Sequence, residues 1–248
     1  MSKIRLKDID TRAAKQFDKE KTKKETVEIL EELDELQNLL YAESKHSLLV
    51  VIQAMDAGGK DGAIRNVFGK LNPQGVEVKS FKVPTAEEAG HDFLWRVHQH
   101  APLKGIIQIF NRSQYEDILV TRVHKWIDDR TAKKRMKAIN DFEQLLQDHN
   151  DTTILKFYLH VSHEEQLERL NERIRDPQKQ WKYNENDFAE SNLWDVYMEM
   201  YEDCFENCND VPWTIVPSDQ NWYKEYVIAS AVRETLKKFD MKYPGLKK

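Results

Sequence analysis

The stretch SLLVVIQAMDAGGKDG, residues 47–62, decides the fold. Its first part, Ser47 to Gln53, is a nearly continuous apolar run of strand length, which is typical of a central parallel strand covered on both faces. The residues that follow approximate the pattern G-x-x-x-x-G-K-[ST] of a phosphate-binding loop, with Gly59-Lys60 in register. A strand that leads through such a loop into a helix predicts a phosphate site at the helix start, where backbone N–H groups and Lys60 meet the anion.

The loop departs from that pattern at two positions. Ala54 stands at the first glycine position, and Asp61 replaces the hydroxyl residue that normally holds Mg²⁺. Carboxylates are good ligands for a hard cation, so Asp61 and Asp56 can bring metal binding into the loop itself. The alternative is an ordinary strand-to-helix turn, which accounts for the glycine pair but not for a lysine and two acids around it.

Strand and helix patterns alternate along the rest of the chain. Further strands are predicted at Val76 to Ser80, Gly105 to Phe110, Thr153 to Val161 and Trp213 to Pro217. Helices are predicted at Thr22 to Ser44, Asp61 to Gly69, Thr85 to Gln99, Ser113 to Val123, Arg130 to Asp148, Glu164 to Arg175, Glu190 to Cys208 and Trp222 to Lys242. This alternation predicts an α/β fold with a parallel central sheet.

The domain organisation is predicted to be simple. The chain has no repeat, low-complexity tract or Gly/Ser linker, so residues 1–248 are expected to form one domain, in which residues 1–46 are an N-terminal helical extension. The run Arg175 to Asn184 interrupts the helical pattern, and such an interruption is either a surface turn or a mobile lid.

Composition excludes several classes of protein. With 40% apolar and 33% charged residues the chain is globular, and no run approaches the roughly 20 apolar residues of a membrane span. The start of the chain has no apolar core like that of a secretion signal, so a cytoplasmic location without membrane contact is expected. A net charge of −5 argues against general nucleic-acid binding, so any polyanion must meet a local basic groove.

A second candidate site follows the strand that ends at Phe110, where the chain reads FNRSQYED, residues 110–117. Ligands of open α/β sheets bind at the carboxyl ends of the strands, which favours a binding role for Asn111 and Arg112. Ser113 and Glu116 have a structural alternative, because a serine followed three residues later by glutamate is the pattern of a helix capping box.

Four ordered segments make the chain resemble polyphosphate kinase family 2, the polyphosphate-dependent nucleotide phosphotransferases. They are MDAGGKDG (55–62), NPQGVEVKSFKVPT (72–85), FNRSQYED (110–117) and RIRDPQKQWKYN (173–184). The resemblance implies a three-layer α/β/α P-loop kinase-like fold with a helical lid at about 164–208, Mg²⁺, and a homo-oligomer, either a dimer or a tetramer. The expected reaction is reversible phosphoryl transfer from inorganic polyphosphate to AMP and ADP, which gives ADP and ATP.

The resemblance also assigns roles to residues. Asp56 and Glu116 would bind metal, Lys60 and Arg112 would hold the transferring phosphate, and Arg169 and Arg173 would close from the lid. The residues expected to bind nucleotide are Asn111, Lys82 and Asp117. Those expected to bind phosphate are Ala57, Gly58, Gly59, Lys60, Asp61 and Gly62. Asn111 together with Glu116 is similar to the third subclass of the family, whose members accept both AMP and ADP.

Other readings stay open at this point. Arg65, Lys70, Arg122 and Lys125 are candidates for a basic track along polyphosphate, but each is equally consistent with solvated surface. His91, His98 and His100 have a spacing more typical of one helix face than of a metal site. Trp181 either stacks on a base or packs down the lid. The competing functions are an ATP-dependent nucleotide kinase and a non-catalytic P-loop regulator that binds nucleotide.

Overall fold

The computed structural model describes residues 4–246, and within them the chain forms one five-stranded parallel sheet of order β2-β3-β1-β4-β5. The strands are β1 (Ser47–Gln53), β2 (Val76–Ser80), β3 (Ile107–Asn111), β4 (Thr152–His160) and β5 (Trp213–Pro217). All five were predicted, and their ends differ from the predictions by at most two residues. The parallel α/β fold class is therefore confirmed.

The central position of β1 explains its apolar sequence. All seven of its residues are buried, because β3 and β4 flank its edges and helices cover both faces. Leu48, Val50 and Ile52 belong to the core on one face, whereas Leu49 and Val51 belong to the core on the other. This alternation follows from the two-residue period of a strand.

Helices form a layer on each face of the sheet. They are α1 (Lys19–Glu43), α2 (Lys60–Phe68), α3 (Ala86–Ala89), α4 (Trp95–His98), α5 (Val120–Val123), α6 (Asp129–Asn150), α7 (His163–Arg175), α8 (Asn186–Ser191), α9 (Trp194–Asn207) and α10 (Asn221–Lys237). Buried side chains of α1, α2 and α10 belong to the same hydrophobic core as Leu48. Those of α6 and α9 belong to the same core as Leu49, on the other face of the sheet. The predicted three-layer α/β/α arrangement is confirmed.

The long helix predicted at Thr85 to Gln99 is wrong. The chain instead forms the short helices α3 and α4, separated by the turn around Gly90 and Asp92. Thr85 caps α3 in a capping box with Glu88, and the Asp92 side chain accepts the N–H of Leu94 at 3.0 Å, which fixes a local turn in place of a helix.

Two other predicted helices are also interrupted. The segment 113–123 folds as a 3₁₀ turn, Gln114–Asp117, followed by the short helix α5. The helix predicted to start at Glu190 begins earlier, as α8, and a break at Asn192 and Leu193 separates α8 from α9. All three interruptions lie in connections that follow the carboxyl ends of strands.

The predicted extension and lid contain both packed and exposed parts. The helix α1 buries Ile29, Leu33 and Leu40 in the core, while residues 1–3 of the extension lie outside the described residues. Within the predicted lid region 164–208, α9 also packs into the core, and the more exposed part is the connection 176–186. In the part of the chain from 4 to 246, no helix is long and apolar enough to cross a bilayer.

Candidate active site

A cavity of about 570 Å³ lies along the carboxyl edge of the sheet, at the loops that follow β1 and β3. The connection from β1 leads to β2 at one side of the sheet, whereas the connection from β3 leads to β4 at the other, so these loops diverge at a topological switch point. Eight of the lining side chains are lysine or arginine and five are aspartate or glutamate. A chain of net charge −5 thus gathers an excess of cations around this cavity.

The phosphate loop has an unusual backbone. Ala57 and Gly59 both have positive φ, 58° and 96°, in a region that costs energy for a residue with a side chain. A Cβ on Gly59 would also lie 2.5 Å from Lys224 Nζ, so another residue would displace that ammonium group as well as strain the backbone. Helix α2 starts immediately afterwards at Lys60 with no side-chain cap, and its first backbone N–H groups are left for a ligand.

Lys60 is held at the base of the loop. Its Nζ donates to the carbonyl oxygens of Ala54 at 2.9 Å and Met55 at 3.2 Å. Burial and the nearby Arg112 lower its pKa, although Asp56 and Glu116 oppose that shift. The ammonium group is therefore positioned by neutral acceptors.

Asp56 and Arg112 join the two loops. Arg112 Nη2 donates to Asp56 Oδ1 at 2.6 Å, and Arg112 itself has a positive φ of 61°. Burial alone would raise the pKa of Asp56, but Lys60 and Arg112 outweigh it and hold that pKa below its usual value. The carboxylate is thus ionised at neutral pH and can exchange Arg112 for a cation.

The capping-box alternative for Glu116 is wrong. Ser113 Oγ accepts from Tyr115 N at 3.3 Å and caps a 3₁₀ turn. With the Gln53 amide oriented so that both its atoms find partners, its nitrogen donates to Glu116 Oε1 at 2.9 Å, and its oxygen accepts from Ser113 N at 3.2 Å. Gln53 at the end of β1 therefore supplies the hydrogen-bond partners of Ser113 N and Glu116 Oε1. The second carboxylate oxygen of Glu116 is left for other partners.

The charge state of Glu116 is set by its surroundings. Burial raises its pKa, Arg112 and Lys60 oppose the rise, and Asp56 adds to it. Glu116 therefore lies close to Arg112, Lys60 and Asp56, the charged residues at the phosphate loop. It is not itself part of the cavity lining.

Asp61 connects the phosphate loop to Asn111, at the end of β3, and to the predicted lid. It accepts from Asn111 Nδ2 at 3.0 Å and from Lys182 Nζ at 3.1 Å. Burial would raise its pKa, but these two hydrogen bonds and the charge of Lys182 lower it. Asn111 and Asp61 both line the cavity.

The two arginines expected to close from the lid lie on α7 and line the cavity. Arg169 donates to three backbone oxygens: Ala57 at 3.2 Å, Ser218 at 2.6 Å and Asp219 at 3.3 Å. It therefore also braces the phosphate loop against the connection after β5. Arg173 pairs with Asp187 of α8.

The remaining nucleotide candidates have different positions. Lys82 lines the cavity, after β2. Asp117 does not line it but is buried beneath this region, where it accepts from Arg96 Nη2 at 3.2 Å. Arg96 also donates to the carbonyl oxygen of Lys82 at 2.8 Å. Asp117 is thus connected to the Lys82 loop through Arg96.

The predicted basic track is not gathered around the cavity. Arg65, Lys70 and Lys125 are exposed and are not part of its lining. Arg122 is paired with Asp203 at 2.6 Å and with Asp129 at 3.1 Å, which neutralises it within the protein.

The donors for a metal come from the loops. Among residues 4–246, no group of three or more His, Cys, Asp or Glu side chains is arranged to hold a metal. The three histidines contact aromatic rings: His91 stacks on Trp95, His98 lies at the edge of Phe142, and His100 lies at the edge of Phe81. Mg²⁺ in kinases needs only one or two carboxylates plus substrate phosphates, so the pair Asp56 and Glu116 fits such an ion.

Sequence reasoning missed one residue of this cavity in particular. Lys224, in the first turn of α10, is buried, and its Nζ lies 3.3 Å from the carbonyl oxygen of Gly59. In the sequence it is one lysine in a helical pattern, 165 positions from Gly59, and resembles a solvated surface residue. Only the parallel strand order, which brings β5 beside β4, places it at the loop.

A P-loop at the switch point of a parallel sheet, ringed by lysine, arginine and aspartate, defines the class of P-loop phosphotransferases. Residues 16–244 match the family model of polyphosphate kinase 2 (PPK2). The chain belongs to this family, and it is a phosphotransferase.

Individual relatives agree with this assignment. The chain is 49% identical over 214 residues, 86% of its length and 80% of the relative, to an AMP/ADP-polyphosphate phosphotransferase of Meiothermus ruber. It is 42% identical over 229 residues, 87% of its length and 79% of the relative, to an ADP-polyphosphate phosphotransferase of Rhodopseudomonas palustris. The crystal structure of polyphosphate kinase 2 from Arthrobacter aurescens superposes with a TM-score of 0.96 at 38% identity, over 100% of this chain and 90% of that one.

Proposed function

We propose that this protein transfers a phosphoryl group from inorganic polyphosphate to AMP and ADP, with Mg²⁺ as cofactor, and forms ADP and ATP. The observation that carries the proposal is the cavity, in which eight cationic side chains surround a phosphate loop. A cavity with that charge suits a ligand made of phosphates at both donor and acceptor ends.

The identity of the donor is supported by the relatives. Physical chemistry alone fits ATP equally well, because a phosphate loop with arginines above it serves any phosphoanhydride. Both relatives described above are named for polyphosphate, and the more similar of the two is named for AMP and ADP together. Asn111 and Glu116 both lie beside the phosphate loop. This pair also favours the use of both AMP and ADP as acceptors.

Asp56 and Glu116 would hold Mg²⁺ together with phosphate oxygens of the substrates. The ion would supply neutralising charge to the transferring phosphoryl group. Asp56 suits this role because its pKa is held low, and its present partner Arg112 would then be available to the same phosphate.

The side chains of the protein would do the rest of the chemistry by position and charge. Lys60 and the N–H groups at the start of α2 would hold the transferring phosphoryl group, and Arg112 would neutralise charge that develops on its oxygens. AMP and ADP carry anionic phosphates near neutral pH, so no strong general base is required. The acids around the loop are therefore better suited as metal ligands than as bases.

The connection 176–186 would act as the mobile part of the lid. It is the most exposed part of the region 164–208, and Lys182 links it to Asp61 of the phosphate loop. Closure would exclude water, which otherwise competes with the nucleotide for the phosphoryl group. A cytoplasmic location and a homo-oligomer complete the proposal, and light scattering would test the latter.

The deciding experiment measures nucleotides formed by the purified protein with Mg²⁺. ADP with polyphosphate should give ATP, and AMP with polyphosphate should give ADP and then ATP. Omission of polyphosphate is the control, and a parallel reaction of AMP with ATP tests the rival donor. Product only in the ATP reaction would identify an ATP-dependent kinase, and nucleotide binding without any product would identify a regulator.

A further inference from the structure

Gln166 of α7 contacts the backbone of the phosphate loop through its side chain. The residue is fully buried, and its Nε2 donates to the carbonyl oxygen of Asp56 at 2.9 Å. One turn further along α7, Arg169 donates to the carbonyl oxygen of Ala57 at 3.2 Å. Because side chains three positions apart lie on the same face of a helix, this face of α7 holds two consecutive carbonyl groups of the loop.

The orientation of the peptide between Asp56 and Ala57 determines where one N–H group of the loop points. This peptide is trans, so its C=O and N–H groups point in opposite directions. With the Asp56 carbonyl held by Gln166, the Ala57 N–H points away from Gln166. Within residues 4–246 this N–H donates no hydrogen bond, and Ala57 lines the cavity, so the group is left for a ligand.

The same peptide carries backbone strain that the hydrogen bond from Gln166 opposes. Ala57 has a φ of 58°, in the left-handed region that costs energy for a residue with a Cβ. A flip of the rigid peptide plane would change ψ of Asp56 and φ of Ala57 together, and Ala57 would return to negative φ. That flip would also reverse the Ala57 N–H and break the hydrogen bond from Gln166.

Gln166 is itself held in place by α8. Ser191 Oγ donates to Gln166 Oε1 at 2.8 Å, and His163 Nε2 lies 3.0 Å from Ser191 Oγ. Since the hydroxyl group gives its one proton to Gln166, the imidazole is the donor to Ser191. Ser191 is fully buried and ends α8, the helix that follows the connection 176–186. A chain of hydrogen bonds thus leads from α8 through Gln166 to the phosphate loop.

We propose that Gln166 is a positioning residue for phosphoryl transfer, which locks the Asp56–Ala57 peptide so that the Ala57 N–H donates to the transferring phosphoryl group. Ser191 holds Gln166 in the orientation that this requires. The inference rests on the proposed function. Gln166 does not line the cavity, so it acts through the loop and not on the substrate. The oriented N–H stabilises negative charge as it develops on a phosphoryl oxygen.

The test compares Gln166→Met, which keeps the length of the side chain but loses the amide, with the control Thr152→Val. Thr152 is buried at the start of β4, at the edge of the sheet opposite the cavity, and its hydroxyl group lies 2.8 Å from Ser47 Oγ. Both variants therefore lose a buried hydrogen bond, and both should have a lowered Tm. Only Gln166→Met should lower kcat, by about tenfold or more, because it alone releases a donor to the transition state. KM for ADP and for polyphosphate should change less than about twofold in both variants.

A third variant tests the hydrogen-bond chain from α8. Ser191→Ala removes the hydroxyl group that holds Gln166 Oε1, and kcat should fall about two- to tenfold, the factor that corresponds to one ordinary hydrogen bond. The double variant Gln166→Met/Ser191→Ala should be no slower than Gln166→Met, because Ser191 acts only through Gln166. Effects of the two substitutions that multiply would overturn this arrangement.

A crystal structure of Gln166→Met supplies a readout that does not depend on activity. The Asp56–Ala57 peptide should be flipped, with Ala57 at negative φ. An unflipped peptide would overturn the inference, as would wild-type kcat in the folded variant or a rise in KM without a loss of kcat. Should Gln166→Met fail to fold by circular dichroism, the kinetic and crystallographic comparisons are made with Ser191→Ala.

Failure of the proposed function would be recognised separately. If the wild-type protein makes no ATP from polyphosphate, that result is obtained before any variant is examined. The crystal structure of Gln166→Met then still decides whether Gln166 holds the Asp56–Ala57 peptide.

Discussion

Lys60 and Lys156 are both buried, but their surroundings differ. Lys60, at the cavity, donates only to two backbone carbonyl oxygens. Lys156, on β4, donates to Glu143 at 2.8 Å, Tyr115 Oη at 2.7 Å and the carbonyl oxygen of Cys208 at 3.0 Å. In the first region the protein leaves a charge that a ligand can neutralise, whereas in the second it neutralises the charge internally.

The second region is a closed network. Glu143 accepts from Tyr115 Oη at 2.6 Å and from Gln114 Nε2 at 3.2 Å, so each oxygen of this fully buried carboxylate has a partner. Tyr115 precedes Glu116 in the chain, and the network therefore holds the segment that carries Glu116. This buried charge pair stabilises the fold, and its removal should mainly lower the free energy of unfolding.

The largest expected effect is on stability, for Lys156→Met. Removing one partner of a buried ion pair costs about 3–5 kcal/mol, because Glu143 is left without a counter-charge. Chemical denaturation should reveal this loss, while Lys60→Met should change the free energy of unfolding far less. Equal losses in both variants would remove the distinction between the two regions.

The pH dependence of the Lys156→Met loss follows from Glu143. Burial already raises the pKa of this carboxyl, and without Lys156 the rise is larger. A group whose pKa is higher in the folded state stabilises the fold fully below its unfolded pKa. That stabilisation is lost as the pH rises through the folded-state pKa. The free energy of unfolding of Lys156→Met should therefore be closest to that of the wild type near pH 5 and furthest below it near pH 8. Chemical denaturation at both pH values checks this.

The next effect is on turnover, for Lys60→Ala. Loss of a charge that stabilises the transition state should lower kcat by about 10²-fold or more, while circular dichroism and the Tm change little. The matched control is Lys134→Ala, an exposed lysine on α6. Retained turnover in Lys60→Ala would contradict the role of the loop lysine.

A smaller effect concerns the choice of acceptor, for Glu116→Gln. AMP is one phosphoryl group shorter than ADP, so a site that uses both acceptors must compensate for the shorter one, and Glu116 would do so by holding a metal ion that supplies positive charge. The ratio of kcat/KM for AMP to that for ADP should fall about tenfold, the scale for a disturbed metal shell. Glu164→Gln, at an exposed glutamate in the first turn of α7, serves as control, and an unchanged ratio would refute the assignment.

Acidification should reproduce part of that change in the wild-type protein. The pKa of Glu116 is raised mainly by burial, so its carboxylate form is lost at a higher pH than for an ordinary glutamate. Phosphorylation of AMP should therefore decline relative to ADP as pH falls, and Glu116→Gln should remove this decline.

The strands and the phosphate loop were predictable because a buried parallel strand is a continuous apolar run, and a loop that binds phosphate needs glycine at fixed positions. The break between α3 and α4 was missed because it depends on side-chain capping at Thr85 and Asp92 rather than on the apolar period.

The charge partners were not predictable for a different reason. Lys156 and Lys224 are lysines in patterns that suggest exposure, and each becomes buried through contacts with segments more than 40 residues away. Gln53 acquires its role in the same way, since only the pairing of β1 with β3 brings it to Ser113 and Glu116. Long-range partners of this kind require the strand order, which local periodicity does not contain.

The smallest expected effect concerns the lid connection 176–186, which an exposed ion pair joins to the phosphate loop. Lys182 Nζ lies 3.1 Å from Asp61 Oδ2, and such pairs contribute only about 0.2–1 kcal/mol. Asp61→Asn removes the charge without altering the lid sequence. Chymotrypsin, which cleaves after the exposed Trp181 and Tyr183, should then cut about one and a half to five times faster, in proportion to the opening of the lid. Asp151→Asn, which breaks the exposed pair with Lys104, should leave that rate unchanged.

Addition of polyphosphate with nucleotide should slow cleavage of the wild-type protein, because ligands then hold the lid closed. Cleavage at one rate in all of these conditions would mean that the connection is an ordinary surface turn.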